Sequence, residues 1–331
     1  MAATSAMKIQ DEKFSNLGLF KTIVNKEQVA TYSRSLGAAS DSNPILVLIH
    51  GYPQSAYEWR HFIPLLPSDA PIFTADLPGY GGSAAIEKND KLTVGTAVLE
   101  ALKTEVKRTS SNSSSPDIPI ILIGHDRGAR ISHHLAVEGV KGINIRGVCL
   151  IDIVPTSVQW QNFASPLTQA KQITGYFHWP FLANVDLSFR MISAFGRADW
   201  CKEMIQAWAG NSPTGLQKLK ADDALNVYGD FLNQEHTLKA SCEDYKHGAT
   251  TDVEREEDWQ KNGRKINVPL FVLYSHDYIG SRYKFPDIWK DWVKDDVEIR
   301  AYSLQNGIGH FGPEEAPEES AKVIVEWLKT F

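Results

Sequence analysis

The segment that most restricts the fold is Ile120-Ile121-Leu122-Ile123-Gly124-His125-Asp126-Arg127-Gly128-Ala129-Arg130. A continuous apolar run suits a strand buried on both faces, and it passes within three residues into a helix-compatible stretch. Gly-x-Asp-x-Gly at that junction is a strained strand-to-helix turn, in which side chains at the flanking positions would collide with neighbouring backbone. The turn commonly carries a serine nucleophile; here Asp126 takes its place. A carboxylate can displace a leaving group from saturated carbon, giving an alkyl ester that water then cleaves. The plainer role for Asp126 is to cap the helix that follows. The helix N-terminus favours an anion in either case.

The surrounding chain supplies a setting for such a turn. Ile45–Ile49, Ile72–Asp76, Ile118–Ile123, Val148–Val154, Val268–Tyr274 and Val297–Ser303 read as strands. Helical stretches are expected over Val94–Arg108 and Ser320–Phe331, with a polar loop over Thr109–Pro116. Strands alternating with helices imply an α/β fold with a mostly parallel central sheet flanked by helices. Residues 157–265 break the rhythm, with helical periodicity over Ala164–Gly175 and Ser188–Ala209 and no convincing strand. The expected organisation is therefore a core of residues 1–156 and 266–331, with a helical cap of residues 157–265 inserted in it. Five of the nine tryptophans (Trp160, Trp179, Trp200, Trp208 and Trp259) fall in that insertion, as a water-excluding lid would need. The charged run Asp252–Asp258 within it reads as a solvated face.

Composition narrows the function. The 331 residues are 43% hydrophobic and 22% charged, with a formal charge of −6, which fits a globular chain and offers no general field for nucleic acid. No apolar run approaches the roughly 18 residues of a membrane span. Cys149, Cys201 and Cys242 form neither a disulfide framework nor a metal pattern, and the N-terminus lacks a secretory signature, so a cytoplasmic location is expected. Gly307–Gly312 and Gly79–Ala84 match dinucleotide-loop spacings but lack the βαβ context, so no cofactor is expected. His133 and His134 are neighbours on a helix and are expected on different faces, so no metal site is expected.

Partners for Asp126 follow in chain order. His310, in Gly307-Ile308-Gly309-His310-Phe311 after the last strand, is positioned to act as a general base on water. The acid orienting it is Asp152, closing the strand after the elbow helix, or Asp277, following the next strand. Asp152 lies in a more apolar setting, where an unpaired carboxylate would be costly, and this favours it. The amides of Tyr52 and Arg127 are the candidate oxyanion donors.

Several motifs resemble the fluoroacetate dehalogenase group of α/β-hydrolases. They are His50-Gly51-Tyr52-Pro53-Gln54, Ala75-Asp76-Leu77-Pro78-Gly79-Tyr80-Gly81, Gly124–Arg130 and Asp152-Ile153-Val154-Pro155-Thr156, with Tyr176-Phe177-His178-Trp179 and Ser241-Cys242-Glu243-Asp244-Tyr245 in the insertion. The first two are shared with epoxide hydrolases and haloalkane dehalogenases. The resemblance implies Asp126 as nucleophile, His310 as base and Asp152 as supporting acid. It implies that Arg127 and Arg130 bind a substrate carboxylate, and that His178, Trp179 and Tyr245 surround the departing halide, with Trp208 a further candidate. Arg130 in a structural ion pair and Trp208 as a core residue are the plainer readings. The implied reaction converts a small 2-haloacid to a 2-hydroxy acid. An epoxide hydrolase is the alternative, with Tyr245 and His178 protonating the epoxide. The arginines and the absence of an obvious second lid tyrosine tilt away from it. A non-catalytic ligand-binding homologue is a third reading, opposed by the intact nucleophile, base and acid. A small, anionic substrate is the expected partner, and a homodimer is expected by analogy alone.

Overall fold

The computed structural model describes residues 5–109, 117–164 and 170–331. The expected polar loop, from residue 110 onward, and residues 165–169 of the helix expected from Ala164 lie outside the described residues. Eight strands form one sheet: β1 (Phe20–Val24), β2 (Val29–Arg34), β3 (Ile45–Ile49), β4 (Ile72–Ala75), β5 (Ile118–His125), β6 (Ile143–Ile151), β7 (Leu270–Ser275) and β8 (Ile299–Leu304). Their order is β1-β2-β4-β3-β5-β6-β7-β8. From β4 to β8 every pairing is parallel, whereas β1–β2 and β2–β4 are antiparallel.

The apolar run of β5 shows why the sheet is covered on both sides. Ile120 and Leu122 enter a core shared with Leu99, Leu102, Ile131 and Leu135, while Ile121 and Ile123 pack with Leu48, Ile151, Ile324 and Trp327. Alternate side chains thus feed two hydrophobic layers. The first is covered by α2 (Lys91–Thr109) and α3 (Arg127–Glu138), and α14 (Pro317–Leu328) packs on β7 and β8 from the other side. A helix α1 (Ser5–Asn16) precedes the sheet and packs against the segment described next.

Between β6 and β7 the described chain is helical: α4 (Thr156–Gln161), α5 (Ala170–Gly175), α6 (His178–Ala183), α7 (Val185–Phe195), α8 (Arg197–Trp208), α9 (Pro213–Lys220), α10 (Ala224–Leu232), α11 (Glu235–Gly248) and α12 (Thr251–Asn262). The single helix expected over Ser188–Ala209 is broken at Gly196, whose φ of 115° lies outside what a helix interior tolerates. The Asp252–Asp258 run is not uniformly solvated. Asp252 and Glu256 are fully buried, and Glu256 accepts hydrogen bonds from the Thr156 and Ser157 amides at 3.1 and 2.7 Å. It therefore caps the first helix of the segment. Among the described residues no helix is long and apolar enough to cross a membrane. A short helix α13 (Gly312–Glu315) follows the last strand.

Strand register sets the site. Ile49 pairs with Gly124, His125 with Ile151, and Ile151 with Leu273. The loops that begin at His50, Asp126 and Asp152 therefore leave the sheet along one edge, beside the end of β7.

Candidate active site

Asp126 sits at φ 47°, ψ −117°, between β5 and α3. A non-glycine residue at positive φ costs on the order of 1–3 kcal/mol, and the flanking structure holds it there. A Cβ on Gly128 would overlap the Ile49 carbonyl, and one on Gly51 would lie 2.5 Å from the Asp126 Cβ. Glycine is what allows the elbow to seat against the loop after β3. The Asp126 amide still bonds the Ile151 carbonyl at 3.2 Å, which anchors the turn to the sheet.

Each side-chain oxygen of Asp126 has a partner. Oδ1 accepts the Tyr52 amide at 2.9 Å, and Oδ2 lies 3.5 Å from His310 Nε2. The opposite ring nitrogen, Nδ1, is 2.6 Å from Asp152 Oδ2. Asp152 Oδ1 in turn accepts the Ser275 amide at 2.8 Å and its hydroxyl at 2.7 Å. Asp277 is exposed on the turn beyond β7, so the alternative acid is not beside the histidine. The last residue of β7, Ser275, supports the carboxylate rather than competing with it.

Burial alone would raise the Asp126 carboxyl and lower the His310 imidazole. The hydrogen bond and charge each lends the other reverse both effects, with Arg127 and His125 adding to the first and Asp152 to the second. Asp126 is held well below the usual carboxylate range, and His310 is raised to about 10. The resting pair is a carboxylate facing an imidazolium.

Above this pair lies a cavity of about 20 Å³, room for one or two water-sized groups. Arg130, His178, Trp179, Trp208 and Tyr245 line it together with Asp126, Asp152 and His310. Gln159, Tyr176, Tyr278 and Ile279 line it as well and were not singled out from the sequence. Tyr176 is thus a second tyrosine contributed by the helical segment, contrary to expectation. Its ring and that of Tyr278 both pack against the Arg282 guanidinium, 4.5 Å from each centroid. Trp208 is more than packing: its carbonyl accepts the His310 amide at 3.0 Å, and its ring centroid is 4.4 Å from that of His178.

Burial pushes His178 down to about 3, against the pull of Asp126, so its ring is neutral, and its Nδ1 has no hydrogen-bond partner. Burial and the Asp126 charge push Tyr245 well up, so its hydroxyl stays protonated. Both can offer hydrogen-bond donors to a developing anion.

The two arginines are not equivalent. Arg127 turns away from the cavity: its Nε bonds Asp244 Oδ2 and its Nη2 the Asp244 carbonyl at 3.1 Å. Lys91 Nζ joins the same Asp244 and lies 3.6 Å from Asp252, so the Arg127 guanidinium belongs to a buried ion-pair network. Its Nη1 is left without a partner. Arg130 donates to the Val154 carbonyl at 2.8 Å and the Thr156 hydroxyl at 3.3 Å, both neutral, and its Nε is unpaired. Among the described residues it forms no ion pair, which removes the structural ion-pair reading.

His133 and His134 do not diverge as expected. His134 Nε2 lies 3.2 Å and His133 Nδ1 3.6 Å from Glu256 Oε1, giving a buried His133–His134–Glu256 cluster. Glu256 is already engaged by two backbone amides and the His134 ring, and Trp259, Trp289 and Trp292 pack edge-on around His133. These bonds account for the cluster as a tie between α3 and α12.

Residues 46–323 match the model of the alpha/beta hydrolase family, and the chain belongs to that family. It is an enzyme of the alpha/beta hydrolase class. It is 26% identical to a fluoroacetate dehalogenase of Burkholderia sp over 289 residues, covering 87% of this chain and 88% of the relative. It is 30% identical to epoxide hydrolase A of Mycobacterium tuberculosis over 329 residues, covering 89% of this chain and 93% of that one. A solved alpha/beta hydrolase structure from Nostoc sp superposes with a TM-score of 0.78 at 27% identity, covering 96% of this chain and 100% of its own.

Proposed function

We propose that the protein hydrolyses the carbon–halogen bond of a small 2-haloacid, with Asp126 as nucleophile, His310 as base and Asp152 as the acid that orients it. The observation that carries this reading is Arg130. A buried guanidinium facing the cavity beside Asp126, with only neutral hydrogen-bond partners, is disfavoured by burial and by the Arg127 charge, and the Asp126 and Glu256 charges offset this only in part. A substrate carboxylate would compensate it. The small cavity argues against a bulky substrate, and similarity to a fluoroacetate dehalogenase points the same way.

In the first step an Asp126 oxygen attacks the halogen-bearing carbon, the C–halogen bond breaks, and the halide leaves with its electron pair. Donors from His178, Trp179 and Tyr245 stabilise the halide as charge builds on it. The product is an alkyl ester on Asp126. Esterification removes the Asp126 charge, and with it one of the interactions that raise His310. The imidazolium then gives its proton to solvent, and the neutral imidazole takes a proton from water while the hydroxide adds to the Asp126 carbonyl carbon. The Tyr52 amide, joined by that of Arg127, holds the resulting oxyanion. Collapse expels the 2-hydroxy acid, whose oxygen takes the proton back from His310, and the remaining Asp126 carboxyl proton passes to His310, restoring the carboxylate and imidazolium. The helical segment 157–265 acts as the lid that keeps bulk water from this cavity.

A second reading, epoxide opening, gains from Tyr176 and Tyr245 both lining the cavity and from similarity to epoxide hydrolase A. Assays for halide release from 2-haloacids alongside diol formation from small epoxides separate the two. Halide release is expected; diol formation with no halide from any haloacid overturns the dehalogenase reading.

A further inference from the structure

Glu58 lies in the 3₁₀ turn Ala56–Arg60, beneath the proposed catalytic groups and fully buried. Its Oε2 accepts the Gly51 amide at 3.2 Å and is 3.3 Å from His125 Nδ1. His125 Nε2 is 2.9 Å from the His310 carbonyl. A carbonyl oxygen only accepts, so that nitrogen carries a proton. One further proton is then shared between His125 Nδ1 and Glu58, whichever of them holds it. Glu58 Oε1 has no hydrogen-bond partner. A half-paired buried carboxylate is an expensive way to fill space, and an apolar side chain would be cheaper.

The bonds it does make have a common destination. Gly51 precedes Tyr52, whose amide holds Asp126 Oδ1. His125 precedes Asp126 itself, and the carbonyl it holds belongs to His310. One carboxylate therefore ties the loop after β3, the elbow and the loop after β8. We propose that Glu58 is a positioning residue that, through Gly51 and His125, holds the Tyr52 amide and His310 in register with Asp126 for hydrolysis of the alkyl ester. This rests on the Asp126-ester reading and deepens it. Of the groups tied by Glu58, alkylation uses only an oxygen of Asp126, whereas ester hydrolysis needs the Tyr52 amide for the oxyanion and His310 for the water. Loss of the tie therefore falls on the second half-reaction. Burial pushes the Glu58 carboxyl up to about 7 against the pull of His125, consistent with a proton shared in that pair.

The test is single-turnover kinetics of Glu58→Gln, which keeps the side-chain volume but cannot share the proton as the carboxylate does. A haloacid that releases halide is used, with halide and the intact-protein mass followed together. The first-turnover halide burst is expected at the parent rate, which also certifies folding. The ester should persist, decaying about tenfold or more slowly than in the parent. Decay at the parent rate overturns this proposal and leaves the ester route standing. Equal slowing of both steps marks a general structural role and overturns it as well. Absence of any ester in the parent overturns the underlying reading together with this one.

Discussion

Asp152 and His310, 158 positions apart in sequence, meet at 2.6 Å across the edge of the sheet. The aspartate comes from the end of β6 at φ 57° and the histidine from the loop after β8, and Ser275 holds the carboxylate's other oxygen with two hydrogen bonds. The contact fixes which ring nitrogen faces Asp126.

If that contact orients the base, Asp152→Asn should lower kcat by about 10²–10⁴-fold with ester accumulating on Asp126. Asp277→Asn should leave kcat unchanged. Steady-state kinetics on both variants, with intact-protein mass for the ester, check this.

Arg130 is expected to set the preference for an anionic substrate. Arg130→Met should lower kcat/KM for a haloacid by about 10–100-fold, the worth of a charge-assisted hydrogen bond. Turnover of the corresponding uncharged haloamide should change little. An equal loss on both substrates would mean that Arg130 serves the fold alone.

The leaving-group contacts predict a graded effect. Fluoride builds the most charge before departure and depends most on donors. His178→Phe should therefore slow defluorination by about 10²-fold and debromination much less. Competing rates on fluoro- and bromoacids give the ratio.

The His310 shift carries a stability consequence. Its imidazole is raised from 6.5 to about 10 in the folded protein, so the folded state binds a proton that the unfolded chain has released in that interval. This contribution is fully present below about pH 6.5 and lost as pH rises through about 10. Tm should fall over that window in the parent and fall less in His310→Gln. Thermal scans from pH 6 to 10.5 measure it.

Much of this was legible in sequence because the sheet is buried on both faces. Continuous apolar runs such as Ile45–Ile49 and Ile118–Ile123 have no competing explanation at that length, and the strands match closely. The hairpin β1–β2 was missed because it forms the antiparallel edge: Phe20–Val24 is largely exposed and carries no apolar run. That Asp126, His310 and Asp152 would meet was readable from position along the chain. The fate of charged side chains was not. Nothing local to Asp244 says that it will take Arg127 and Lys91, nor that Asp252 and Glu256 will be buried within an acidic run, since their partners come from α2, α3 and α4. Tyr278 and Gln159 reach the cavity through tertiary packing that no spacing announces, whereas Ser275 ends the strand next to β6 and lies near Asp152 for that reason.

The proposed reaction turns on alkylation of Asp126. A single turnover in heavy-oxygen water, with enzyme in excess over a haloacid, tests it most directly. Label is expected in the Asp126 carboxylate, with unlabelled 2-hydroxy acid, because the product's oxygen comes from the aspartate. Label passing straight into the product, with none in Asp126, would contradict it.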